Sequence, residues 1–184
     1  MSSFAVIDTE TNNEHDVMSI GIIVADSNNF ERIDSRYYIL SLEVSKGGMY
    51  CDRIYHTSHK HKKGSKVGVL KDLERWLDFH SVNDLFAYNA RFDKNLLPEL
   101  NNYRWHDIMP IAASKKHNPY IPDYLPCNSK GRLVRGYGVE PMLRMMYDEN
   151  YIETHIAILD ARDELKIMKL LGHNIHFYPK MKNF

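Results

Sequence analysis

An α/β domain with a mixed sheet is what the sequence predicts, on three observations. Residues 4–7 and 20–25 are continuously apolar, as strands covered on both faces are. From Val69 the apolar period changes: Val69, Leu70, Leu73, Trp76 and Leu77 fall on one face of a helix. Beyond that helix, short apolar runs alternate with helical patterns, the order of a layered α/β architecture.

Taken in order, the first two runs and residues 36–42, with two tyrosines and Ile39, form a β-meander. Residues 56–66 are polar and cationic and read as a loop. The helix from Val69 is followed by a short strand over 85–88 that ends at Asn89. Phe92, Leu96, Leu97 and Leu100 then give a short helix that Pro98 bends or ends. Residues 105–113 supply the last strand of a mixed, five-stranded sheet flanked by helices. Residues 114–138 contain Pro119, Pro122, Pro126, Gly131, Gly136 and Gly138, punctuation that predicts a long structured loop or hairpin. Helical spacing resumes over 142–147 and 156–171, where Ile158, Leu159, Leu165, Met168 and Leu171 can face a core. A chain of 184 residues suits one domain, with residues 173–184 as a short C-terminal tail.

Composition narrows the function classes. With 43% hydrophobic and 26% charged residues, a wholly disordered or fibrous chain is excluded. The 24 Lys and Arg equal the 24 Asp and Glu, which excludes a globally basic nucleic-acid coat but not a local basic groove. No apolar stretch approaches the roughly 18 residues of a membrane span. The first residues have no basic flank and place a carboxylate at Asp8, unlike a secretory signal. Two cysteines make no disulfide framework, and the expected compartment is the cytoplasm.

The chemistry gathers in carboxylates at the ends of predicted strands: Asp8 and Glu10, then Asp93, then Asp160 in the last helical segment. In an extended backbone Asp8 and Glu10 point to the same side and can hold one metal jointly. Four converging carboxylates raise one another's pKa, whereas two hard divalent cations balance their charge and want oxygen ligands. Such a pair of metals serves phosphodiester cleavage. His155 lies five residues before Asp160, about 140° away on a regular helix. If residues 153–155 form a loop leading into the helix, His155 can instead swing over the site and act as general base. Cys51, His56, His59 and His61, with Cys127 far downstream, have zinc-ligand chemistry but no compact finger spacing; residues 59–63 read as an exposed charge run. In residues 114–138, Arg132, Arg135 and three lysines interleave with Tyr120, Tyr124 and Tyr137, a mixture that tracks phosphates and stacks bases, or alternatively a solvated cover.

Three segments, Phe-Ala-Val-Ile-Asp-Thr-Glu-Thr from Phe4, Tyr-Asn-Ala-Arg-Phe-Asp from Tyr88 and His-Ile-Ala-Ile-Leu-Asp-Ala from His155, resemble the three exonuclease motifs of the DEDDh family, in that family's order. The likeness runs over residues 4–172. It implies a ribonuclease H-like fold and metal-dependent removal of nucleotides from a 3′ end. It also implies two cations, Mg²⁺ or Mn²⁺: Asp8, Glu10 and Asp160 would hold the first, Asp8 would bridge to the second, Asp93 would act through water, and His155 would be the base. Expected substrate contacts are Thr9, Thr11, Asn89 and Phe92 from the motifs, with Tyr124, Arg132 and Arg135 from the long loop. Two departures stand out: Asn12 and Asn13 where the family often has glycine, and Tyr88 where it often has histidine. The expected partner is a single-stranded DNA or RNA 3′ end. DNA against RNA stays open, as do a homodimer, a polymerase or repair partner, an oligoribonuclease-like trimming role and a non-catalytic binding module.

Overall fold

The apolar runs that open the sequence form the middle of the sheet in the computed structural model, which describes residues 2–182. Strands β1 (Ser3–Thr11), β2 (Val17–Asp26) and β3 (Arg32–Leu40) make the antiparallel meander. All ten residues of β2 are buried, which explains why the run does not alternate. Beyond it come β5 (Asp84–Ala87) parallel to β1 and β6 (Arg104–Asp107) parallel to β5, while β4 (His61–Gly64) pairs parallel with β3. The order across the sheet is β4-β3-β2-β1-β5-β6.

The sheet therefore has six strands rather than the five expected. The additional one, His-Lys-Lys-Gly, has no apolar residue and an exposed pattern, so it carries no strand signal of its own. Its backbone pairing with residues 37–40 makes it a strand, and charged residues are what an edge tolerates. The last strand is also shorter than expected: β6 stops at Asp107, and Met109–Ala112 forms a helical turn, α4, with Pro110 in its first turn.

The remaining helices are α1 (Ser41–Ser45), α2 (Lys66–Phe79), α3 (Arg91–Leu96), α5 (Val139–Met146) and α6 (Ala157–Leu171). The α2 helix starts three residues earlier than its apolar pattern, because the Ser65 hydroxyl accepts from the Gly68 N–H at 3.3 Å and caps it. Its apolar face packs on Ala5, Ile7, Ile20, Ile22 and Val24, one face of the sheet. Phe4, Val6 and Ile23 point the other way, into a core closed by α5 and α6. Period-two alternation carries Asp8 and Glu10 onto the α6 side with Phe4 and Val6.

Gly21 sets how closely α6 can approach that face. It pairs with Asp8 across β1 and β2, and a Cβ there would stand 2.2 Å from backbone atoms of Ala157 and Ile158. Only glycine admits the start of α6 at this distance, and that start brings Asp160 over Asp8. Residues 173–182 are not a free tail. Tyr178 is buried, the Asp107 N–H donates to the Pro179 carbonyl, and the Met181 N–H donates to the Trp105 carbonyl, so the segment covers β6; residues 183 and 184 lie outside those described. Among the described residues no helix is long and apolar enough to cross a membrane.

Candidate active site

Each acidic residue is placed by a different element. Asp8 and Glu10 sit near the end of β1, and the residue between them turns to the other side of the strand. There the buried Thr9 hydroxyl donates to Asp93 Oδ1 at 2.7 Å. Thr9, expected among the substrate contacts, thus has its hydroxyl committed to holding an acidic neighbour. Asp93 is itself 2% exposed.

The turn that delivers Asp93 follows β5. Asn89 adopts φ +63°, a left-handed conformation that asparagine tolerates, and its N–H is held by Asp107 Oδ1 at 3.1 Å. The helix α3 then starts at Arg91 and places Asp93 in its first turn. Tyr88, the departure from the family pattern, is buried and its hydroxyl donates to the Tyr137 carbonyl. It ties the end of β5 to the end of the long loop.

His155 lies outside the helix, as its predicted role requires, because α6 begins only at Ala157. Residues 151–155 are held from α5: Arg144 Nε donates to the Tyr151 carbonyl at 2.7 Å, and Glu140 Oε2 accepts from the Glu153 N–H at 2.9 Å. His155 has φ +56°, and its ring stacks on Tyr50 with centroids 4.0 Å apart and planes 10° apart. The Arg53 guanidinium lies over the Tyr50 ring, 5.4 Å from its centre. Glu10, His155 and Asp160 each bring one potential ligand atom within 4.8 Å of the others'. Thr154 Oγ1 also reaches Asp160 Oδ1, at 3.4 Å.

Burial, and after it the neighbouring acidic charges, pushes these carboxyls up. Burial pushes the Asp8 carboxyl well above its ordinary value, and the charges that add to the rise are Glu164, Asp93, Asp160 and Glu10, all acidic. Burial followed by Glu153 and Asp93 raises Glu10 to about 7. Burial raises Asp93 to about 7 against the opposing bond from Thr9, and burial with Glu153 and Glu10 raises Asp160 to about 8. His155 moves the opposite way: burial, then the nearby Arg53 charge, lower its pKa, against a smaller opposing pull from Glu140. A neutral imidazole has a lone pair free to take a proton.

This donor set fits hard divalent cations. Carboxylate oxygens are their preferred ligands, and a cation removes the mutual repulsion that the acids otherwise relieve by binding protons. Among the described residues, Cys51, Cys127, His56, His59 and His61 form no such group, and His61 lies in β4 rather than in the expected loop.

The structure sorts the remaining predicted residues. Thr11 ends β1, half-buried; Asn89 is exposed and Phe92 is 45% exposed on the turn beside Asp93. The loop over 114–138 is structured, with bridges between Ser114 and Arg132 and between Cys127 and Leu133, and its Ile121 and Leu133 enter the core. Arg132 is exposed and lines a cleft of about 370 Å³ with Met109, Leu133 and Tyr137. Arg135 and Tyr124 are exposed and do not line that cleft; Tyr124 is 83% exposed. Two neighbours of the site were missed. Tyr50 had no signal, since it meets His155 only through the folded loop after α1. Glu164 had one, because it lies four residues beyond Asp160 and hence on the same helix face.

No protein-family model and no curated protein matches the sequence. Solved structures do match, and they define the class: the chain has the ribonuclease H-like exonuclease fold, a mixed sheet flanked by helices. The nuclease domain of 3′hExo, a DEDDh family member solved with rAMP, superposes with a TM-score of 0.66 at 12% identity, covering 99% of this chain and 97% of that one. E. coli Exonuclease I, solved with a dA16 oligonucleotide, gives 0.64 at 17% identity over 96% of this chain and 42% of its own. A 3′-exonuclease in a structure describing 3′-end recognition of a histone mRNA stem-loop gives 0.64 at 12% identity, over 94% and 64%.

Proposed function

We propose that the protein is a DEDDh-family 3′-5′ exonuclease that hydrolyses single-stranded nucleic acid from its 3′ end and releases nucleoside monophosphates. The observation that carries this reading is the convergence of Asp8, Glu10, Asp93 and Asp160, mutually repelling and brought together from three separated motifs, with the neutral-leaning His155 beside Glu10 and Asp160. The shared fold of nucleases solved with rAMP and with oligonucleotides supports it.

In this reading Asp8, Glu10 and Asp160 would hold one Mg²⁺ or Mn²⁺, and Asp8 and Asp93 would serve a second. Cations bound there would activate the attacking water and stabilise the leaving oxygen. His155 removes the water's proton as it attacks; the stack on Tyr50 and the anchoring of residues 151–153 from α5 keep its ring over the carboxylates. Asn89 and Phe92 contact the terminal nucleotide from the turn beside Asp93, with Thr11 at the end of β1. Arg132, Arg135 and Tyr124 hold the strand further from the cut.

The deciding assay presents labelled single-stranded DNA, RNA and dinucleotides, each with a 3′-hydroxyl or a 3′-phosphate, alongside a circular single strand. The expected result is mononucleotide release from free 3′-hydroxyl ends, slowed by a 3′-phosphate or a base-paired end. Efficient cutting of the circle overturns the exonuclease reading. Activity confined to dinucleotides converts it to a trimming enzyme.

A further inference from the structure

A cleft of about 480 Å³ opens on the side of α3 turned away from Asp93, and the proposed centre makes no use of it. Three stretches of chain build it: Arg91, Lys94 and Asn95 from α3, Asn101 after the 3₁₀ turn Pro98–Leu100, and Met181 and Lys182 from the C-terminal segment. On a regular helix Arg91 and Asn95 lie about 160 to 200° round from Asp93, so α3 gives its acid to the centre and its cation to the cleft. The Met181 N–H bond to the Trp105 carbonyl, at 2.8 Å, sets the position of Lys182, whose own carbonyl accepts from Lys94 Nζ at 3.5 Å.

Three cations line this cleft and no acid does. Elsewhere on this electrically neutral chain cations sit against acids: Arg36 and Lys62 on Asp72, Lys46 on Glu14 and Asp16, Arg104 on Asp84. Glu99, the acid nearest in sequence, pairs instead with Lys66 at 3.3 Å and does not line the cleft. Arg91 and Lys182 are exposed, and no residue of the cleft wall neutralises them. The volume falls within the roughly 300 to 1,000 Å³ of ligand pockets, but those are lined mainly by apolar groups, whereas this lining is cationic and amide. Guanidinium and ammonium groups suit phosphate oxygens, the two amides can donate to phosphate or sugar, and Met181 offers an apolar surface to a sugar or base. We propose that the cleft holds the phosphodiester backbone of the single strand behind its 3′ end, with Arg91, Lys94 and Lys182 on phosphate oxygens. This rests on the exonuclease reading and deepens it: Asn89 and Phe92, which meet the terminal nucleotide in that reading, sit at the start of the same helix. The grip is separate from Arg132, Arg135 and Tyr124, none of which lines the cleft. One helix, about 10 to 12 Å across with its side chains, stands between cleft and centre, so a dinucleotide cannot occupy both.

The test compares the unaltered protein with Arg91→Gln, Lys182→Gln and the double variant, which remove charge; Arg91→Lys and Lys182→Arg restore it. Affinity for a non-cleavable single strand of about 12 nucleotides, within the span of strand-binding grooves, is titrated at several salt concentrations. Each glutamine variant is expected to bind roughly twofold to fivefold more weakly at low salt, the scale of an exposed ion pair, and to flatten the salt slope by about 0.7. The charge-restoring variants should bind as the unaltered protein does. At saturating Mg²⁺, KM for the long strand should rise while the constants for a dinucleotide stay the same. Inorganic phosphate is titrated into the unaltered protein and the double variant in parallel. Unchanged strand affinity and slope in the double variant overturn the cleft assignment and leave the exonuclease reading standing. Equal weakening towards long strand and dinucleotide also overturns it, because the residues then act at the centre. If the double variant loses inorganic phosphate but binds the strand as before, the cleft is a small-phosphate site and the strand assignment falls. If the unaltered protein neither binds nor shortens the strand, the exonuclease reading falls and takes the cleft assignment with it.

Discussion

The strand β5 carries a buried acid at its start and delivers another just past its end, and the two have opposite environments. At the start, Asp84 accepts from Arg104 Nε at 2.7 Å and Arg104 Nη2 at 2.6 Å, with His106 Nε2 at 2.8 Å. Burial pushes its carboxyl up, but these partners outweigh burial and hold it below its ordinary value. Past the other end, Asp93 is more deeply buried, receives one neutral hydroxyl from Thr9, and is raised to about 7. Both are buried, Asp93 the more deeply, and only Asp84 has cationic partners to offset that burial. Where the chain provides its own, the carboxylate is part of the scaffold. Where it provides further acids instead, the charge is left for something that binds.

The largest expected effect is at the uncompensated end. Asp8→Asn should abolish nearly all hydrolysis at saturating Mg²⁺ or Mn²⁺ while the circular dichroism spectrum stays native, because it removes the carboxylate proposed to be shared by both cations but not its shape. An initial rate above a few per cent of the unaltered enzyme's removes Asp8 from the centre.

Next comes His155→Ala, with a fall in turnover of about 10²- to 10⁴-fold, the usual share of a general base. Metal affinity should barely change. Stopped assays at saturating cation measure it, and an unchanged rate rules the role out.

The third expectation separates the two ends by pH. Acids whose folded pKa is raised bind more protons folded than unfolded, so their contribution to stability falls as pH climbs from the ordinary carboxylate range through about 7 to 8. Asp84, held low, acts in the opposite sense: its contribution is present above the ordinary value and is lost as pH falls through its folded pKa. The metal-free protein should therefore melt at a higher temperature at pH 5 than at pH 8, and saturating Mg²⁺ should reduce or reverse that difference. Melting curves across that range with no dependence on Mg²⁺ would show that the acids are not cation-linked.

The smallest effect belongs to the compensated end. Arg104→Ala leaves Asp84 with His106 alone, and because the Arg104 side chain is 53% exposed the cost is about 1 to 2 kcal/mol, less than for a fully buried pair. Urea titration measures it. Turnover per folded molecule should not move, and a large loss of activity would mean that the two ends are coupled.

Much of this molecule was legible in the linear chain. The buried strands, the α2 face and the positions of Asp8, Glu10, Asp93, His155 and Asp160 rest on local pattern, because alternation and helical period are written in neighbouring residues. Even the break before α6 that frees His155 could be required from its spacing to Asp160. The strand β4 was not legible, since His-Lys-Lys-Gly becomes a strand only by pairing with β3. The bond from Thr9 to Asp93 was not legible either, because the two lie 84 residues apart. Tyr50 and Glu164 belong to the same class: one meets His155 through a loop, and the other is isolated from water by everything packed around α6. The sequence by itself named the acids and the histidine proposed to carry the chemistry. The tertiary structure alone decided which of them are deprived of a cation, because burial and charge compensation depend on distances through space that separation along the chain does not encode.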